Sequence, residues 1–159
     1  MNMSHTPHVR DPFYTQALAE HRDLLSETCH LRAMFQNYLH RRPDERQAQE
    51  VTRRLRMLCE HLTRHFVQEQ SGGYMEEAIM HLPRIGHRAE MLQRQHGELA
   101  AAAQRLQEQM AAIDPATCDW ARQAHDFDQF MQRLTEHEAA ENALLNEAFN
   151  EDPGTEGGS

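Results

Sequence analysis

Four stretches of this chain repeat apolar residues at alternating spacings of four and three, and one histidine stands inside each stripe. That period places each stripe on one face of an α-helix. The first reads Tyr14, Ala17 or Leu18, His21, Leu24 or Leu25, Thr28, Leu31, Phe35 and Tyr38. In the second, Val51, Leu55, Leu58 and Leu62 lead to His65 and then Glu69. The third is Leu92, His96, Leu99, Ala103, Leu106, Met110 and Ile113, and the fourth is Trp120, Phe127, Phe130 or Met131, Leu134, His137, Glu141, Leu144 or Leu145, and Ala148. The apolar face of a helix is the one that packs, so imidazoles and two carboxylates are committed to a core. A carboxylate buried alone is costly enough that it ends up charge-paired, protonated or bound to a metal.

The punctuation between the stripes sets the architecture. Asp11 is a candidate N-cap with Pro12 at the first helical position, and the first helix is expected to run to about Arg41. Pro43 breaks the chain, and the second helix runs to about Gln70, with Gly72 or Gly73 as a left-handed C-cap. A short amphipathic segment, residues 74 to 82, precedes Pro83, from which the third helix runs to about Ile113. Asp114 and Pro115 repeat the opening cap signal for the fourth. With no alternating β pattern, the expected fold is all-α: an antiparallel up-down-up-down four-helix bundle with a short extra helical segment between the second and third long helices. Residues 1–11 read as a flexible arm, 12–150 as the bundle and 151–159 as a disordered tail.

In an antiparallel hairpin, residues equidistant from the turn lie at equal depth. His21 and His65 are each 22 residues from Pro43; His96 and His137 are 19 and 22 from Pro115; Glu69 and Glu141 are 26 from their respective turns. At about 1.5 Å of rise per residue, all six fall within one layer roughly 30 to 40 Å from the turns. The remaining histidines do not join it. His30 and His87 lie about 180° from His21 and His96, and His125 about 120° from His137, by helical geometry. His5 and His8 fall in the arm, His40 at the end of the first helix and His81 in the connector. His61, one turn before His65, is expected in a supporting or partly exposed role.

Composition removes several functions. A formal net charge of −9 disfavours binding to a phosphate backbone, so no nucleic acid partner is expected. No apolar run approaches the roughly 20 residues that span a bilayer, and the first residues lack the apolar core of a signal peptide, so a cytoplasmic protein without membrane association is expected. Cys29, Cys59 and Cys118 form no CxxC pair; they suggest neither a disulfide framework nor a thiolate zinc site and are read as small buried hydrophobes. Only Glu27 and His30 have the ExxH spacing of which ferritin-like di-iron bundles need two.

The segments "EHRDL" at 20–24, "HFVQE" at 65–69, "LQRQHGEL" at 92–99 and "LTEHEAAE" at 134–141 resemble the four ligand segments of hemerythrin-like domains, also called HHE cation-binding domains. The resemblance spans residues 12–149 and implies a non-haem diiron centre. By the same resemblance, His21, His65, His96 and His137 would be terminal ligands, and Glu69 and Glu141 would bridge two Fe ions together with an oxo or hydroxo group. Imidazole and carboxylate donors suit iron independently of the name. One departure stands out. Oxygen-carrying hemerythrins place two histidines one turn apart on the third helix, where this chain has Leu92 and Ala100 on either side of His96. The ligand set is therefore short, and Tyr74 is one candidate donor from the segment after the second helix.

An open coordination position favours O2, peroxide or NO as the small-molecule partner, to be bound, sensed or reduced. The alternatives are an iron-handling protein, for storage or iron sensing, and a metal-free helical interaction module. No further motif identifies a co-substrate, a protein partner or enzymatic turnover.

Overall fold

Each helix begins and ends where its local chemistry dictates. The computed structural model describes residues 12–150; the expected arm, with the Asp11 cap, and the expected tail lie outside the described residues, as do the side chains of Phe13, Gly72, Tyr74 and Asn150. Helix α1, Pro12–Asn37, opens on the expected proline but stops four residues short of Arg41. Its end tightens into i→i−3 bonds, Tyr38 N–H to the Phe35 carbonyl and Leu39 N–H to the Gln36 carbonyl. The residue before Pro43 is pushed out of the helical region, so the chain must already have unwound there. Helix α2, Glu45–Gly72, starts with a reciprocal cap: the Asp44 carboxylate accepts from Gln47 N–H at 2.7 Å, and the Gln47 side chain accepts from Asp44 N–H at 2.9 Å.

Gly73 ends α2 with φ of +80°. A methyl group there would meet no heavy atom within 4 Å, so substitution strains only the backbone. Gly73→Ala should lower the stability of the protein by about 1 to 2 kcal/mol, the cost of a left-handed conformation for a residue with a Cβ, and equilibrium urea denaturation will read it. Helix α3, Tyr74–His81, follows at once, and Pro83–Ile85 forms a single 3₁₀ turn before helix α4, Gly86–Ala112.

The last helix departs further from expectation. Helix α5, Trp120–Asn150, does not begin at Pro115. Asp114 instead closes a separate turn, its carboxylate accepting from Ala116 N–H and its carbonyl from Thr117 and Cys118 N–H. The cap belongs to Asp119, whose carboxylate accepts from Arg122 N–H at 3.1 Å.

The four long helices pack as a bundle in which α1 and α4 each lie against both α2 and α5. Contacts between neighbours run in opposite numerical sense. Tyr14 meets Asn146 and Arg32 meets Asp128 across α1 and α5; Glu20 meets His65 and Glu27 meets His61 across α1 and α2. The apolar side chains form two clusters. The larger holds Leu24, Leu31, Phe35, Leu55, Leu62, Leu99, Leu106, Phe127 and Leu134; the smaller holds Tyr14, Ala17, Met75, Ala78, Ile85, Leu92, Leu144 and Leu145. On three of the long helices a histidine falls between the two: His21 after Ala17 and before Leu24, His96 between Leu92 and Leu99, and His137 between Leu134 and Leu144; on α2, His65 follows Leu62 near the end of the larger cluster. Helix α3 supplies Met75 and Ala78 to the smaller cluster, so the polar layer is sealed from both ends by hydrocarbon. Of the cysteines, Cys59 is buried and Cys118 half-buried, but Cys29 is exposed, because it sits one residue past Thr28 on the solvent side of α1.

Candidate metal centre

The layer between the two clusters contains His21, His65, Glu69, His96, His137 and Glu141, each no more than 3 % exposed. Their helical stripes aim them inward, and the imidazole Nε2 atoms meet around the two carboxylates. His21 Nε2 lies 3.2 Å from Glu69 Oε1 and 3.1 Å from Glu141 Oε2; His65 Nε2 is 2.5 Å from Glu69 Oε1. On the other side, His96 Nε2 is 2.8 Å from both Glu69 Oε2 and Glu141 Oε1, and His137 Nε2 is 2.8 Å from Glu141 Oε1. Two donor groups result, His21, His65, Glu69 and Glu141 on one side and Glu69, His96, His137 and Glu141 on the other, with ligand atoms in each within 4.8 Å of one another. Both glutamates belong to both groups.

The outward nitrogens are held as a metal site requires. His21 Nδ1–H donates to Asn142 Oδ1 at 2.6 Å, His65 Nδ1–H to Glu20 Oε2 at 2.8 Å, and His137 Nδ1–H to Gln95 Oε1 at 2.7 Å. An acceptor at Nδ1 fixes the tautomer that leaves the Nε2 lone pair facing inward, and it raises the basicity of the ring. His96 Nδ1 is buried without a partner, and its ring instead stacks on Phe66, 4.2 Å between centroids and 11° from parallel. The buried atoms His65 Nε2, Glu69 Oε2, His137 Nε2 and Glu141 Oε2 also lack a well-formed hydrogen bond. Such a set suits divalent first-row cations: neutral imidazoles and anionic oxygens around shared carboxylates, with no thiolate.

Proton affinities tell the same story. Burial lowers the His21 pKa, but hydrogen bonds to Glu141 and Glu69 outweigh it and lift the ring to about 10; His96 rises to about 9 by the same balance, and His65 also rises. Burial acts to raise Glu69 and Glu141, yet the surrounding imidazoles hold both well below the usual carboxylate range. Protons on the rings and negative charge on the glutamates thus compensate one another, and a cation can take the place of those protons.

Sequence reasoning missed a seventh group. Glu138, next to His137, is 4 % exposed, and burial pushes its carboxyl up to about 7. It stands off the stripe by one residue, and only the sequence neighbour His137 hinted at it. Glu20, Asn142 and Gln95 were missed likewise, although each directly adjoins one of the six. His61 is half-buried and donates from Nδ1 to Glu27 Oε2 at 2.9 Å, outside both donor groups. His30, His40, His81, His87 and His125 are exposed. Arg133 reaches Glu98 at 3.6 Å. The side chain of Tyr74, considered as a donor, lies outside the described residues.

A cavity of about 190 Å³ opens between α4 and α5, lined by Gln95, Leu99, Arg133, Glu136, His137 and Ala140. It brings solvent-accessible space to the His137 side of the layer. A larger groove of about 890 Å³, around Pro43, Met110, Pro115 and Trp120, lies at the far end of the bundle and does not touch the cluster. None of the described helices is long and apolar enough to cross a membrane.

A helical bundle that buries four imidazoles and two carboxylates in one layer has the make-up of a metal-binding protein. The family model for the hemerythrin HHE cation-binding domain matches residues 13–149, nearly the whole chain, and the protein belongs to that family. No curated protein and no solved structure shows a significant match.

Proposed function

We propose that this chain is a non-haem diiron protein of up-down-up-down topology that binds, senses or reduces O2 or a reactive oxygen or nitrogen species. One ion would be held by His21 and His65 and the other by His96 and His137, with Glu69 and Glu141 shared between them and an oxo or hydroxo group completing the bridge. The observation that carries this reading is the pair of donor groups sharing both glutamates. Each group offers two imidazoles and an oxygen of both glutamates, so a second ion can replace the protons that otherwise pair the remaining imidazoles with the carboxylates.

Bound iron supplies redox chemistry with small oxygen and nitrogen species. The chain supplies the rest. Glu20, Asn142 and Gln95 hold three imidazoles at fixed orientation, the two apolar clusters exclude bulk water, and the cavity beside His137 admits a molecule of a few atoms. Four protein donors per ion leave positions open, which supports reaction with an exogenous molecule over a saturated site.

Iron titration under anaerobic conditions, followed by exposure to air, tests the proposal. Two irons per chain are expected, with a ferric charge-transfer absorption that shifts on adding azide or peroxide. Absence of bound iron, together with no change on His65→Ala, would refute it. Two irons that leave readily under mild chelation, with no azide or peroxide response, would assign the protein to iron handling instead.

A further inference from the structure

Glu138 is the one buried acidic side chain of the layer for which the two shared carboxylates leave no role. Its Oε1 is buried and has no hydrogen-bond partner. On α5, helical geometry sets Glu141 about 40° from His137 and Glu138 about 100° from it in the same direction. Asn142, about 140° round, reaches His21 of α1. Glu138 therefore projects between Glu141 and Asn142, away from His137 and toward the opposite half of the layer.

The two halves of the centre also differ in their surroundings. The cavity between α4 and α5 reaches His137, whereas neither His21 nor His65 lines it. A buried carboxylate with an unpaired oxygen is destabilising by several kcal/mol unless a cation or donor meets it. Around Glu138 the existing protons are already engaged: His21 Nε2 faces Glu69 and Glu141, and His65 Nδ1 faces Glu20. Glu138 is not among the donors that lie within 4.8 Å of one another. A cation in the His21 and His65 half is the counter-charge that the fold otherwise fails to provide.

We propose that Glu138 is an additional oxygen donor to the ion held by His21 and His65, so that the two ions have unequal ligand sets and the exogenous small molecule is taken at the His96 and His137 ion beside the cavity. This inference rests on the diiron reading and deepens it.

Iron binding and Mössbauer spectra of the full chain and of Glu138→Ala and Glu138→Gln decide the matter. The unaltered protein should give two inequivalent iron signals, and Glu138→Ala should weaken one of the two binding steps at least tenfold and change that signal alone. Chelator-stripped Glu138→Ala should melt no lower than the stripped parent, because an unpaired buried carboxylate has gone, while its gain in melting temperature on iron loading should shrink. A purely structural role would shift stripped and loaded melts together. Two ions bound with parental affinity and spectra in both variants would overturn the proposal while leaving the diiron reading intact. Failure of the unaltered protein to bind iron would overturn both. Should Glu138→Ala fold poorly, the isosteric Glu138→Gln carries the same comparison.

Discussion

Glu69→Gln should cost the protein both metal ions, whereas His137→Ala should cost it one. Glu69 contributes to each donor group, with Oε1 beside His21 and His65 and Oε2 beside His96. An amide keeps the volume but removes the charge and one of the two acceptor oxygens, so neither ion retains the carboxylate that offsets its charge. His137 belongs to one group only. Metal content per chain, measured after loading and desalting, should fall from two to near zero in the first variant and to about one in the second. The stripped proteins supply the control. Removing one partner of a buried ion pair is destabilising by about 3 to 5 kcal/mol when nothing else meets the orphan. Here the loss should fall at or below the lower end, because His21 keeps Glu141 and Asn142, His65 keeps Glu20 and His96 keeps Glu141. A folded Glu69→Gln variant that still holds two ions would show that the glutamate is not shared.

The convergence of the six was legible in the sequence because two regularities multiply. Helical period fixes which face a residue occupies, and distance from a turn fixes its depth; His21, His65, His96 and His137 satisfy both. His61, one turn before His65 and so on nearly the same face, was not excluded by that arithmetic; its ring donates to Glu27, outside both donor groups. What escaped were features decided by local competition or by the third dimension. The end of α1 is set by the tightening turn before Pro43, and Asp114 and Asp119 carry the same capping chemistry five residues apart, so sequence could not say which begins α5. Cys29 was expected in the core from the habits of cysteine, but its neighbour Thr28 already occupies the inward position. Glu138 was passed over because a glutamate one residue off the stripe normally points to solvent. The wide angle spanned by His137, Glu141 and Asn142, which face α4 on one side and α1 on the other, is what draws it inside.

The stabilisation gained from bound iron should grow with pH while the stripped protein weakens. In the stripped chain, His21 and His96 carry folded-state pKa values of about 10 and about 9, above the ordinary 6.5, and His65 is raised as well. A raised histidine contributes its stabilisation in full below pH 6.5 and loses it as pH climbs through the folded value. Each tenfold gain in proton affinity is worth about 1.4 kcal/mol, so His21 alone accounts for a loss on the order of 5 kcal/mol between pH 6.5 and 10. Glu138, raised from 4.5 to about 7, acts in the same direction at lower pH: its neutral form suits the fold, and the benefit disappears between 4.5 and 7. Glu69 and Glu141 are lowered, so their contribution is present above pH 4.5 and is lost on further acidification. The stripped protein should therefore be most stable at about pH 4.5, weaken as pH rises, and weaken more steeply above about 6.5. Iron requires the same imidazoles without their inward protons, so its stabilisation grows as pH rises through the range in which the stripped chain fails. Melting curves at pH 5.5, 7 and 9 should show the gap between loaded and stripped protein widening at each step. Parallel curves across that range would mean that protons and metal do not compete for the same six side chains.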